Sequence, residues 1–101
     1  MFVVVYRWRL KPGCEAQFAR DWRDVTLVAR EKYGSGGSSL FEAHDGSYVA
    51  IARWPDRDGR ERWIARKDKE TSAARERMNA AIEQDYPPLE LDTLQDLWAP
   101  I

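Results

Sequence analysis

The first strand predicted for this chain is apolar on both of its faces. Five consecutive residues, Phe2 to Tyr6, are apolar or aromatic, and charge first appears at Arg7 and Arg9. A strand covered on one side alternates apolar and polar residues, whereas a strand covered on both sides does not. A second run, Tyr48 to Trp54, is also apolar on both faces. Both faces of the sheet that contains these strands must therefore be covered.

A second copy of the chain is the covering that we expect for one of these faces. The rest of the sequence predicts only two convincing helical segments, which are enough to cover one face of a small sheet. The 101 residues include five Trp, four Tyr and three Phe, and each can bury about 150–250 Å². That is more aromatic surface than a small α+β core needs. The surplus indicates an interface or a pocket, and the apolar strand faces favour a homodimer.

Charge and cysteine content restrict the partners and the compartment. The chain has 16 basic and 17 acidic residues, interleaved and without a basic stripe, so we expect no nucleic-acid partner. A single cysteine, Cys14, excludes an intramolecular disulfide and is typical of a reducing compartment. No run approaches the roughly 20 apolar residues of a membrane span, and the N-terminal apolar run is too short for a signal peptide. The sequence therefore predicts a cytoplasmic protein without a membrane partner.

Turn and capping residues divide the chain into elements in the order β-α-β-β-α-β. Pro12-Gly13 ends the first strand, and Asp45-Gly46 between two apolar runs is a strong hairpin signal. Antiparallel pairing in this order gives the ferredoxin-like α+β fold, here as one domain over residues 1–101. The predicted strands are 2–11, 38–43, 48–54 and 89–98. The first predicted helix covers 15–33, and the second is in two pieces, one that begins at Asp58 with Glu61 as its capping partner and one over 71–84.

Several short motifs resemble the antibiotic biosynthesis monooxygenase (ABM) domain. The sequence LKPG at 10–13 leads into EAQF at 15–18, a glycine-rich loop occupies 34–37, and ARWP at 52–55 precedes Trp63. The likeness spans about residues 2–98. It implies the dimeric α+β barrel superfamily, in which the sheets of two chains pack face to face across a homodimer.

The resemblance implies several activities, and the residues favour some over others. Members of the family include cofactor-free monooxygenases of phenolic or quinol polyketides, haem-degrading enzymes and proteins without an assigned reaction. The haem-degrading branch has an Asn in strand one, a Trp in the second helix and a His ten residues later. Trp63 matches this pattern, but Tyr6 stands at the Asn position and Ala73 at the His position. Without an imidazole the iron loses its axial ligand, so we expect no haem degradation.

Three residues are the catalytic candidates for a cofactor-free oxygenation. Such an enzyme must exclude water, stack a planar substrate and stabilise an oxyanion. Tyr6 would donate a hydrogen bond, Arg53 would favour the anion, and Trp63 would stack or donate through its indole N–H. The sequence has no metal cluster and no flavin or nicotinamide fingerprint, so we expect no cofactor. The residues expected to bind the substrate are Trp8, Phe18, Trp22 and Trp54.

The same residues also permit a non-catalytic interpretation. Tyr6 and Trp63 would then be core residues with satisfied polar groups, and Arg53 would belong to an ordinary ion pair at an interface. The chain would be a small-molecule binder or an assembly protein of the same fold. A cavity between Tyr6 and Trp63 would favour the enzyme, whereas solid packing would favour the alternative. The only histidine, His44, precedes a hairpin turn and is expected in solvent.

Overall fold

The architecture is a single antiparallel sheet with helices packed on one face. The computed structural model describes residues 1–67 and 69–101. This part of the chain forms five strands and three helices, which confirms the predicted α+β class. In chain order they are β1 (Phe2–Leu10), α1 (Glu15–Tyr33), β2 (Ser38–Glu42), β3 (Tyr48–Trp54), α2 (Arg57–Ile64), α3 (Ser72–Ala81), β4 (Ile82–Asp85) and β5 (Leu89–Asp92).

Strand β1 lies at the centre of the sheet and organises the other strands. It pairs with β3 along its length, from Phe2 opposite Trp54 to Trp8 opposite Tyr48. Its other edge is shared, because β4 pairs with the end at Leu10 and β5 pairs with the residues from Phe2 to Val5. The resulting order is β2-β3-β1-β4, with β5 also against β1. Every pairing is antiparallel.

The two faces of β1 have different environments. Phe2, Val4, Trp8 and Leu10 are buried on the face that packs against the helices. Phe18 of α1 is in contact with Trp8, so the helix fills the space above this part of the sheet. Burial of a large apolar side chain of this kind stabilises the fold by about 1.5–3 kcal/mol. The hydrophobic core therefore lies on one side of the sheet only.

The opposite face of the sheet, which we call the open face, keeps apolar side chains exposed. Val5 is paired with Leu89 and with Ile51, so these three side chains share the open face. Leu89 is 60% exposed, and Phe41 of β2 is 48% exposed. Contiguous exposed apolar surface of this kind is typical of an interaction site.

A polar cluster lies at one end of the open face and fastens the β2–β3 turn to β1. Ser47 donates to the Asp45 carboxylate from its hydroxyl (2.6 Å) and from its backbone N–H (2.9 Å). Arg7 forms an ion pair with the same carboxylate at 2.9 Å, and Arg9 lies at 3.4 Å from it. The two Ser47 hydrogen bonds have the largest effect on the Asp45 carboxylate, and the two guanidinium charges add to it. Together they lower the pKa of Asp45 to about 2.

The predicted start of the second helix was wrong by one residue, and its capping residue was also wrong. The helix begins at Arg57, and Asp56 accepts a hydrogen bond from the backbone N–H of Gly59 at 2.8 Å. Asp56 has the extended backbone of an N-cap residue, whereas Asp58 already lies inside the first turn. Asp58 therefore does not form the capping box that was predicted with Glu61.

After residue 70, the predicted C-terminal ends of one helix and of one strand were wrong. The helix predicted over 71–84 stops at Ala81, because Ile82 becomes extended and pairs with Leu10 at the free edge of β1. The strand predicted over 89–98 stops at Asp92, which is opposite Phe2, the first residue of β1. No strand remains beside the residues beyond Asp92, and Trp98 is 89% exposed. None of the helices in the described ranges is both long and apolar enough to span a membrane.

Candidate functional site

A cavity of about 350 Å³ lies between the helices and the buried face of the sheet. Its volume is at the lower end of the range of small-molecule sites. Both residues whose separation was in question, Tyr6 and Trp63, line this cavity, so they are not packed solidly together. The predicted site residues that the structure brings to its walls are Tyr6, Trp8, Trp22, Trp54 and Trp63.

Small side chains in β3 leave room for the cavity. Tyr6 is paired across the strands with Ala50, and Val4 is paired with Ala52. Both alanines line the cavity, together with Ala29 of α1. A large residue at these positions would fill the space above Tyr6, because directly opposed residues in an antiparallel pair have Cβ atoms about 4.5–5.5 Å apart. The alternation of large and small residues in the two central strands therefore creates the pocket.

Flat aromatic rings form one wall of the cavity. The rings of Tyr6 and Trp8, two residues apart on the same strand face, are stacked with centroids 5.7 Å apart and planes 3° apart. Phe18 packs edge-on against Trp8 at 5.2 Å and is fully buried. Phe18 is not among the described residues that line the cavity, so it supports the wall behind Trp8. Such a wall is suited to a planar aromatic ligand.

Trp63 is held at the other side of the cavity by three neighbours. Its ring packs edge-on against Tyr33 at 5.0 Å and lies 6.4 Å from the ring of Trp54. The guanidinium of Arg66 lies over the indole at 3.2 Å from the ring centroid. That cation covers one face of the Trp63 ring. Stacking of a ligand on Trp63 is therefore limited to the surface that Arg66 leaves open.

The hydroxyl of Tyr6 accepts a hydrogen bond from a buried arginine. Arg60 of α2 donates to Tyr6 Oη at 3.2 Å and to Glu90 Oε1 of β5 at 2.7 Å. The Arg60 side chain is 8% exposed. A guanidinium only donates, so the Tyr6 oxygen is the acceptor in this contact and its own O–H is directed elsewhere. Because Tyr6 lines the cavity, its proton is placed to be donated to a ligand.

Sequence reasoning missed Arg60 and Glu90. Arg60 stands in the charged run RDGRER at 57–62, where neighbouring arginines are exposed. The one signal that distinguishes it is its spacing, because Arg60 lies three residues before Trp63 and therefore on the same face of α2. Glu90 is opposite Val4 in the register of β5, and only that pairing brings it to Arg60.

Arg53 lies on the other side of the sheet from the cavity. It is paired with Val3, so its side chain belongs to the open face, and it is exposed. Its guanidinium approaches the carbonyl of Gly36 at 3.5 Å, and Arg53 is not among the described residues lining the cavity. The structure therefore does not bring Arg53 together with Tyr6 and Trp63, because odd-numbered residues of β3 face away from the helices. A catalytic role for Arg53 stays a prediction.

The position expected for a haem ligand lies away from the cavity wall. Ala73 is exposed, whereas α3 reaches the cavity with Arg75, Met78 and Asn79. His44 is exposed in the β2–β3 turn. Among the described residues that line the cavity there is neither His nor Cys. The expectation that haem is not degraded stays a prediction.

Comparison with known proteins identifies solved structures that have the same fold. No protein-family model matches the chain, and no curated protein matches it significantly. A solved antibiotic biosynthesis monooxygenase is 22% identical, with a TM-score of 0.76 over 94% of this chain and 100% of its own. SnoaB from Streptomyces nogalater, a cofactor-independent oxygenase, is 21% identical, with a TM-score of 0.78 over 95% of both chains.

Another solved structure of the same shape is Rv0793 from Mycobacterium tuberculosis. It is 15% identical, with a TM-score of 0.77 over 96% of this chain and 98% of its own. At these levels of identity the likeness establishes the fold alone. The chain therefore has the fold of the antibiotic biosynthesis monooxygenases, and the resemblance found in its sequence is confirmed at that level.

Proposed function

We propose that this chain is an ABM-type, cofactor-free monooxygenase of a planar phenolic or quinol molecule. The observation that carries the proposal is the Tyr6 hydroxyl, which lines an aromatic cavity and accepts from Arg60 at 3.2 Å. Its proton is thereby available to an oxygen atom of the substrate. The fold shared with SnoaB, a cofactor-independent oxygenase, supports the same chemistry.

The proposed reaction needs an acidic substrate and molecular oxygen. In an anthrone, the methylene carbon loses a proton and the carbanion transfers an electron to oxygen. Recombination forms a peroxide at that carbon, and loss of water leaves a carbonyl, so one methylene and one O₂ become one C=O and one H₂O. The electron density of the anion lies on the phenolic and carbonyl oxygens, where the Tyr6 O–H stabilises it. The cavity contributes by stacking the rings and by excluding water.

The experiment uses 1,8-dihydroxyanthrone as the probe and an oxygen electrode as the detector. The purified chain, treated with a chelator, is expected to consume one O₂ per anthrone and to form the anthraquinone with saturation kinetics above autoxidation in buffer. If the probe binds, as shown by quenching of tryptophan fluorescence, but its oxidation is not accelerated, the non-catalytic binder takes the place of the enzyme. A chain that neither binds the probe nor accelerates its oxidation would contradict the proposal.

We also propose that the protein is a cytoplasmic homodimer joined through the open face. Val5, Ile51 and Leu89 share that face, and the helices pack against the opposite one. A second copy brings an identical apolar surface, so the contact is self-complementary about a two-fold axis. A stable dimer requires a total buried area of about 1,200 Å² or more. The free thiol of Cys14 is compatible with a reducing compartment.

Ile51→Glu is expected to convert the dimer into a monomer. The substitution places a charge at the centre of an apolar contact, where an unpaired carboxylate is costly to desolvate. Ala80→Glu is the matched control, because Ala80 is exposed on α3. Size-exclusion chromatography with light scattering at micromolar concentration should give a dimer for the natural chain and the control. A natural chain that is a folded monomer would contradict the proposal.

A further inference from the structure

Two of the buried donors that lack a partner belong to residues that line the cavity. These donors are Trp54 Nε1 and Arg75 Nε, which find no hydrogen-bond acceptor among the described residues. Trp54 is almost completely buried in the sheet face. Buried N–H groups in native proteins nearly always have an acceptor, so these two donors are unusual. Both atoms are fully buried behind the cavity surface, so a ligand in the cavity meets the half-exposed Arg75 side chain through its other N–H groups.

Arg75 is also a cation without an ion pair in the described part of the chain. Its neighbour on α3, Arg77, forms an ion pair with Asp21 at 2.9 Å, whereas no described carboxylate lies within 4 Å of Arg75. The carboxylate of Asp85 also borders the cavity, but it is exposed and outside that distance. A guanidinium remains charged at every physiological pH. A half-buried charge of this kind favours an anionic occupant of the cavity.

We propose that the ligand carries two separate acceptor groups, one oxygen for the Tyr6 hydroxyl and one oxyanion for Arg75. This inference rests on the proposed function and narrows its substrate class to planar aromatics with a carboxylate or an ionised enol. Tyr6 and Arg75 reach the cavity from different elements, β1 and α3, and both line it. Arg75 is therefore the residue that determines specificity, while Tyr6 serves the reacting end of the ligand.

The test compares the binding of matched pairs of naphthalene ligands by calorimetry at pH 7.5. 1-Hydroxy-2-naphthoic acid is compared with 1-naphthol, and 2-hydroxy-1,4-naphthoquinone is compared with 1,4-naphthoquinone. Within at least one pair, the anion is expected to bind about tenfold to a hundredfold more tightly, as for a charged hydrogen bond. A preference in the first pair identifies a carboxylate as the recognised group, and a preference in the second identifies an ionised enol.

Substitution of Arg75 separates charge recognition from packing. Arg75→Gln is expected to abolish the preference for the anion while 1-naphthol binds as before, and Arg75→Lys should retain part of the preference. The control is Arg23→Gln, because the Arg23 side chain is 72% exposed on α1 and outside the cavity. Circular dichroism of each variant verifies that it is folded. A preference that survives in folded Arg75→Gln would overturn the inference.

The remaining outcomes distinguish this inference from the proposed function. Equal affinity for the members of both pairs, or no binding of any of the four ligands, overturns the inference. If 1,8-dihydroxyanthrone is nevertheless oxidised, the proposed function stands without the role of Arg75. Conversely, a preference for the anion that depends on Arg75, without oxygen uptake, leaves Arg75 as the specificity residue of a non-catalytic binding protein.

Discussion

Tyr6→Phe is expected to lower kcat for 1,8-dihydroxyanthrone by about 10²–10³, with little change in KM. The phenol ring remains in its stack with Trp8, so the wall that binds the substrate is preserved. The substitution removes the O–H that stabilises the developing oxyanion and the acceptor of one Arg60 hydrogen bond, while Arg60 keeps its ion pair with Glu90. The contribution of the O–H is large because Arg60 fixes the Tyr6 oxygen as an acceptor and leaves the proton for the substrate.

Tyr48→Phe is the matched control for this measurement. Tyr48 is also in the sheet, but its hydroxyl donates to Glu42 at 3.0 Å, and Tyr48 is not among the described residues that line the cavity. Steady-state kinetics should therefore be close to those of the natural chain. If both variants lose activity equally, the loss is not specific to Tyr6 and the assigned role is contradicted. If Tyr6→Phe raises KM and leaves kcat unchanged, Tyr6 binds the substrate without stabilising the transition state.

Glu90→Gln is expected to lower the free energy of unfolding by about 3 kcal/mol, because it leaves the Arg60 charge without its counter-ion. Arg60 is 8% exposed and cannot reach solvent easily, whereas Glu90 is 39% exposed and can be hydrated. Removal of the other partner in Arg60→Met should consequently cost less. Urea unfolding at one fixed protein concentration measures both values, since the stability of a dimer depends on concentration.

The double variant Arg60→Met with Glu90→Gln provides the control for that pair. Once the buried cation is gone, the loss of the carboxylate has little further effect, so the double variant should be more stable than Glu90→Gln alone. Additive losses would show that the two side chains are not coupled. In that case the hydrogen bond from Arg60 to Tyr6 would have no rigid support, and the proposed orientation of the phenol would be undermined.

The elements that the sequence predicted correctly are those with a strong local signal. The helix over Glu15–Tyr33 has apolar residues at helical spacing, and Gly34 follows it with φ of 75°, in the left-handed conformation that glycine adopts without strain. Strand β3 is bounded by a turn and by Pro55, and its predicted limits are those observed. In these segments local propensity and tertiary packing favour the same structure.

The errors occur where pairing partners decide the structure. Ile82 continues the apolar spacing of α3, yet the residues from Ile82 to Asp85 form a strand that pairs with the edge of β1. Strand β5 ends where β1 begins, which no local pattern in 89–98 indicates. The face on which Arg53 lies agrees with strict alternation in β3, which puts its side chain on the same side as Ile51.

The candidate site was predictable in its aromatic residues but not in its polar ones. Tyr6 and Trp8 share one face of β1 by simple alternation, Trp54 of β3 lies on the same face of the sheet, and the alanines of β3 indicated free space. Arg75 stands among arginines of similar local context, and only the folded chain places it at the cavity. Arg60 is buried beside the Tyr6 hydroxyl, and its spacing from Trp63 was its only local signal. Burial of a charged residue depends on long-range packing, for which a single sequence contains no direct signal.

Transfer of oxygen from ¹⁸O₂ tests the central claim most directly. The chelator-treated chain is incubated with 1,8-dihydroxyanthrone under ¹⁸O₂, and the anthraquinone is analysed by mass spectrometry after subtraction of the protein-free reaction. The proposed mechanism predicts one ¹⁸O atom at the new carbonyl in the protein-dependent product, and about a hundredfold less of this product with Tyr6→Phe. Protein-dependent product that carries oxygen from water, or no protein-dependent product, would contradict the proposed function.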